Sequence, residues 1–115
     1  NTNMGWINDG DYAIYFVNSP AAASYTLRAS VGSAAENASS IVVKDSAGKE
    51  LATLKVNPTT GRNDWTVSEA QIALPKGEQK LKFEFVGEDN FLMNVDWFEF
   101  TSDGMTIAPA GFKSS

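Results

Sequence analysis

The sequence contains no cysteine and no histidine. The first absence rules out disulfides, thiolate metal sites and a cysteine nucleophile. The second removes the commonest general base and the commonest metal ligand, so neither a Ser-His-Asp triad nor a histidine zinc site can be assembled. Positive charge is also scarce. Nine Lys and Arg against fourteen Asp and Glu leave a net charge of −5 and a pI near 4.5. Nucleic acid demands a basic face that this composition does not supply, and an anionic membrane surface is disfavoured for the same reason. No apolar run approaches the roughly 20 residues that span a bilayer. No helical spacing persists beyond about ten residues. There is no internal repeat, and no Gly-rich loop leads into a helix to cradle a phosphate. The chain opens at Asn1 with no signal-peptide pattern, which reads as a processed or excised piece.

What the sequence does have is period-two alternation. Residues 24–31 (SYTLRASV), 51–56 (LATLKV) and 80–86 (KLKFEFV) place apolar and polar side chains on opposite faces. Residues 92–100 (LMNVDWFEF) continue the pattern, and 41–43 and 65–74 supply two further strands. Residues 11–17 (DYAIYFV) are apolar on both faces, as expected of a central strand. Gly, Pro, Asn and Asp punctuate the gaps, and the stretch 45–48 (DSAG) between two short strands reads as a hairpin turn. Residues 34–40 are the only soft helix candidate, and their Ala/Ser-rich composition reads as a loop first. Seven or eight short strands in 115 residues predict one all-β domain, an antiparallel β-sandwich or jelly roll. The sandwich is expected over residues 1–102. Residues 103–115 are then a C-terminal tail, an edge strand through Met105–Ile107, or a linker.

Fourteen acids could in principle supply a carboxylate pair for glycoside hydrolysis. Most of them fall in turns (Asp9, Asp45, Asp89) or at outward strand positions (Glu84, Glu99), where carboxylates are ordinarily solvated. The aromatics are more informative. Three Trp, three Tyr and seven Phe exceed what a binding surface needs, so most of them build the core. Phe83 and Phe85 share one strand face, and Trp97 and Trp65 are expected inside as well. Trp6 and Phe91 differ, because each adjoins a polar loop. Aromatics at loop–strand junctions beside Asn and Asp suit a pyranose, whose apolar C–H face stacks on a ring while its hydroxyls bond to amides and carboxylates. The alternative is that both merely close the ends of the sandwich.

Three stretches in order, NMGWINDGDYAIYFVN (3–18), TTGRNDW (59–65) and FLMNVDWFEF (91–100), resemble the family 6 carbohydrate-binding modules. The resemblance implies a β-jelly roll appended to a secreted bacterial polysaccharide hydrolase, binding glycan without catalysis. The wording of the first motif is similar to modules of agarases and laminarinases, which implies agarose or a β-glucan such as laminarin as ligand. By position it implies a loop-end cleft with Trp6 as an aromatic platform and Asn94 as the polar hook. Asn63 and Asp64 would assist, and Phe91 would stand near the closing loop. Arg62 occupies the place of a second aromatic. A guanidinium can stack or donate several N–H bonds there, or its presence marks a decayed site in a structural or adhesion sandwich. The family also implies a structural calcium. Asp96 matches one ligand, but the usual N-terminal glutamates are missing, and calcium takes six to eight oxygens.

Overall fold

The computed structural model describes residues 4–7, 9–32, 37–57, 65–88, 93–102, 105–107 and 110–114; for residues 4–6, 94, 96, 97 and those after 102 the description is of backbone alone. The described chain forms β1 (Met4–Ile7), β2 (Tyr12–Ser19), β3 (Ala23–Gly32), β4 (Ser39–Lys44) and β5 (Glu50–Val56). These are followed by β6 (Thr66–Leu74), β7 (Gly77–Val86), β8 (Met93–Ser102), β9 (Met105–Ile107) and β10 (Ala110–Ser114). No helix occurs among the described residues.

The strands form two five-stranded antiparallel sheets, an all-β sandwich with the jelly-roll character that the alternation predicts. The first runs β1-β8-β3-β6, with β9 pairing β8 farther along the edge that β1 also uses. The second runs β10-β2-β7-β4-β5. Ten strands exceed the seven or eight expected, the additions being β1 and β10. Four and five residues are too few to display a period, and both strands exist because β8 and β2 offer ladder groups that would otherwise lack partners. Of residues 34–40, only 37–40 are described, and the last two already belong to β4.

The core lies between the sheets and is filled from alternate positions of each strand. Tyr15, Tyr25, Leu27, Ile41, Leu54, Phe83, Phe85 and Phe100 are fully buried. Tyr15 and Phe83 from the second sheet meet Phe98 from the first, with ring centroids 4.5 to 5.3 Å apart and edge-on or tilted planes. Those are favourable arrangements for aromatic quadrupoles. β2 corrects the two-faced reading of residues 11–17. It is an inner strand, flanked by β10 and β7, but only Ala13, Tyr15, Val17 and Ser19 are buried, while Phe16 stays 41% exposed. A sandwich leaves the outer face of each sheet open, so an apolar residue in the wrong frame has nothing to pack under.

The outer faces carry charge pairs. Arg28 on β3 bridges its strand neighbours, with Nη1 donating to Glu99 Oε1 at 3.0 Å and Nε 2.8 Å from Glu69 Oε2. On the other sheet, Lys44 and Lys82 approach the two oxygens of Glu84 at 2.8 and 3.2 Å, and Lys82 also sits 4.5 Å over the Tyr12 ring.

Candidate functional site

Register places four connections at one end of the sandwich. Ile7 pairs with Met93, Gly32 with Asn94, Val31 with Thr66, Ser39 with Val56 and Ser40 with Val86. The β1–β2, β3–β4, β5–β6 and β7–β8 connections therefore all start and finish there. The hairpin at Asp45–Lys49 and the turn before Gly77 are at the opposite end.

The turn after Trp6 is fixed by its own residue types. Gly10 adopts φ +91, a left-handed conformation that costs glycine little and other residues more. Its N–H donates to the Phe85 carbonyl at 2.9 Å, and Phe85 N–H donates to the Asp11 carbonyl at 2.9 Å. The Asp9 carboxylate accepts from Gly87 N–H at 3.1 Å. Asp9, Gly10 and Asp11 thus tie the chain after β1 to the end of β7, and so to the start of the β7–β8 connection. A sugar site at this end would have a turn held by three hydrogen bonds beside it rather than a free loop.

The candidate residues fall in different places. Trp6 lies in β1, between positions paired with Val95 and Met93, and Asn94 lies in β8 opposite Gly32. Their backbones are therefore at the same end, on adjacent strands of the first sheet. Arg62, Asn63 and Asp64 belong to the β5–β6 connection and Phe91 to the β7–β8 connection; all four lie outside the described residues. Trp97 pairs in β8 with Ser30, and its side chain is likewise outside the description. Asp96 falls between residues paired with Ser30 and Val31, where β8 carries one extra residue, a β-bulge. Among the described residues no group of three or more acidic, His or Cys side chains converges to hold a metal. The Asp96 side chain lies outside the described residues.

Trp65 is the residue whose expected position was wrong. It is 38% exposed rather than in the core. Its strand explains why. Ile72 and Leu74 point inward, and β6 keeps an unbroken register with β3 from Leu74 to Thr66, so residues 65 and 67 fall in the outward frame. The apolar residues of this strand switch frame along its length, and the backbone does not bulge to follow them.

Glu69, Glu84 and Glu99 on the sheets are engaged as salt-bridge partners. Glu69 and Glu99 share Arg28, and the two lysines at Glu84 hold its carboxyl below the ordinary carboxylate range, chiefly through their hydrogen bonds. A general acid in glycoside hydrolysis needs the opposite shift. A groove of about 280 Å³ opens on the outer face of the second sheet, lined by Ile14, Asp45, Ser46, Lys80 and Lys82. It contains no aromatic ring and lies toward the end away from Trp6 and Asn94.

The family model described as carbohydrate binding module (family 6) matches residues 1–102. Among solved structures, the chain is similar to a β-1,3-glucan-binding family 6 module from Bacillus halodurans, at 30% identity and TM-score 0.79, over 87% of this chain and 76% of that one. It is similar at 31% identity and TM-score 0.72 to an arabinoxylan arabinofuranohydrolase of glycoside hydrolase family 43 from Bacillus subtilis, solved with cellotetraose. That match covers 86% of this chain but only 20% of the enzyme. The C-terminal family 6 module of a marine laminarinase from Zobellia galactanivorans shares the fold at 24% identity and TM-score 0.75, over 87% and 79% of the two chains. A comparison with curated proteins finds no match.

Proposed function

The chain belongs to the family 6 carbohydrate-binding modules and is a non-catalytic sugar-binding module; from that premise we propose that it carries a secreted bacterial polysaccharide hydrolase to a β-glucan or agarose-type glycan. The observation that weighs most is the 30% identity to a module that binds β-1,3-glucan, spread over most of both chains. That favours β-1,3-glucan over agarose. The wider set of similar structures includes modules solved with xylose and with cellobiose, so the glycan is the open variable.

The site is the loop end. Trp6 offers a face to the apolar side of a sugar ring, and Asn94, one strand away, bonds to its hydroxyls. Arg62, Asn63, Asp64 and Phe91 reach the same end from the two neighbouring connections. Arg62 donates to hydroxyls where an aromatic would otherwise stack. A ring contact contributes about 1–2 kcal/mol, so one or two of them with a few hydrogen bonds give micromolar to millimolar affinity. Such weak binding is useful through tethering, because a linked catalytic domain is then held at high local concentration over its substrate.

Affinity electrophoresis through gels containing laminarin, agarose, xylan or carrageenan tests this. Retardation by laminarin or agarose that is abolished in Trp6→Ala is the expected result. Migration unchanged in every gel would overturn the reading and leave a structural or adhesion sandwich with a decayed site.

A further inference from the structure

Residues 12–17 of β2 (YAIYFV) hold three aromatic and two β-branched side chains, with no charge, no proline and no glycine. A segment of that kind with an open ladder is a template for pairing with another chain. One side of β2 is taken by β7, which pairs every residue from Tyr12 to Ser19. The other side is covered by β10 alone among the described residues. That cover is short. It pairs only residues 13–16, and its register shifts between Ala110 and Phe112. A shift of this kind interrupts the ladder. The outward side chains of β2 do not guard the edge either, since Ile14 is half-buried, Phe16 is 41% exposed and neither carries charge. The opposite edge of the same sheet, β5, is managed differently. It exposes Glu50 and Lys55, and the Lys55 carbonyl accepts from Ser68 Oγ of β6 at 2.6 Å. In sequence, β10 follows the residues 1–102 that match the family model. The chain reaches it from β9, which pairs β8, so residues 105–114 pass from the first sheet to the second.

We infer that β10 is a guard strand, and that the β2 edge beneath it is a self-association surface whose partner is the β2 edge of a second copy of this chain. The edge is self-complementary. Two identical strands pair antiparallel about a two-fold axis, which satisfies both ladders and joins the second sheets of two copies into one. An uncharged strand meets no like-charge repulsion from its own copy, and it carries no charge to select a different partner. The arrangement closes at two copies, because each contributes the same edge. With β10 in place the edge is occupied and the chain is monomeric.

Sedimentation velocity of the full chain tests this with wild type, the double variant Phe112→Pro with Lys113→Pro, and that pair combined with Phe16→Lys. Successive N–H groups of a strand point to opposite sides, so adjacent prolines remove one that faces β2. Wild type should sediment as a monomer of 12.4 kDa. The double-proline variant should keep a folded far-UV circular dichroism spectrum and double its mass as concentration rises. Phe16→Lys should return it to monomer by placing a charge on the edge. A wild type that is already dimeric overturns the inference, and so does a folded double-proline variant that stays monomeric. Association that Phe16→Lys leaves unchanged overturns it too, because another surface then carries the contact. Unfolding of the double-proline variant has the same consequence, since β10 would then hold the sandwich together and not be a separable cover. Native-state hydrogen exchange reads that separability in the wild type without substitution. Amides of residues 110–114 should exchange through an opening that leaves β7 closed; exchange of both in one global event overturns the inference.

Discussion

Replacing Phe83 by alanine should strike a place where, among the described residues, both sheets meet through aromatic rings. Phe83 is fully buried on β7, 5.1 Å from Tyr15 on β2 and 4.5 Å from Phe98 on β8 in the opposite sheet. Truncation removes the ring from both partners and leaves a cavity that β-strands locked in register cannot collapse into. Phe→Ala at such sites costs about 3–5 kcal/mol, a large share of the roughly 5–15 kcal/mol that holds a domain of this kind together. With an unfolding entropy of about 2.1 cal/mol/K per residue over 115 residues, the melting temperature should fall by about 12–20 °C. Phe83→Leu, which keeps most of the volume, should lose about 1.5 kcal/mol or less. Thermal unfolding followed by near-UV and far-UV circular dichroism measures both. A shift under about 4 °C for Phe83→Ala, which is about 1 kcal/mol, would show that the ring is not clamped between the sheets. Well below the transition, glycan binding should survive, because the loop end is built from other residues.

Two further substitutions probe the site's support and the outer face. Gly10→Ala meets no neighbouring atom within 4 Å but must hold φ +91, so it should destabilise by about 1–2 kcal/mol through backbone strain alone; equilibrium urea unfolding checks this, and an unchanged midpoint would mean that the turn readily relaxes. The folded Glu84 carboxyl stays charged to lower pH than its ordinary value of 4.5, so its contribution is complete above that value and is lost as acid protonates the folded form. Glu84→Gln should therefore flatten the acid limb of the stability profile, by less than about 1 kcal/mol since the pair is solvent-screened; an acid limb identical to wild type would rule the pairing out as a source of stability.

Much of this architecture could be read from alternation. The strands containing 24–31, 51–56 and 80–86 each keep one apolar frame throughout, and each folds as that frame demands, whereas 92–100 changes frame at its bulge, burying Met93 and Val95 before it and Phe98 and Phe100 after it. The DSAG hairpin turn likewise forms, with Gly48 at φ +85 and its N–H bonded back to the Asp45 carbonyl at 3.0 Å. Reading failed where the pattern was too short or changed phase. β1 and β10 are stabilised by the ladders of β8 and β2, and nothing in four or five residues announces a partner distant in the chain. Trp65 and Val67 look like inward residues until Ile72 and Leu74 are seen to set the opposite frame for the whole strand. The placement of Trp6 at a turn was legible, and the reason for the turn is now physical. Gly10 and Asp9 fasten it to β7. The roles of Arg62, Asn63, Asp64, Phe91 and Asn94 come from motif order, which says where such residues lie along the chain and not how their side chains meet a ligand.

The most direct test of sugar binding at the loop end is backbone amide NMR during titration with a β-1,3-gluco-oligosaccharide. If that end holds the glycan, shifts should concentrate at residues 5–11, 31–33, 61–67 and 91–95, with Ile14, Lys80 and Lys82 on the second sheet's outer face unmoved. Saturable shifts confined to the groove at Ile14, Lys80 and Lys82, with Trp6, Trp65 and Asn94 unchanged, would contradict it.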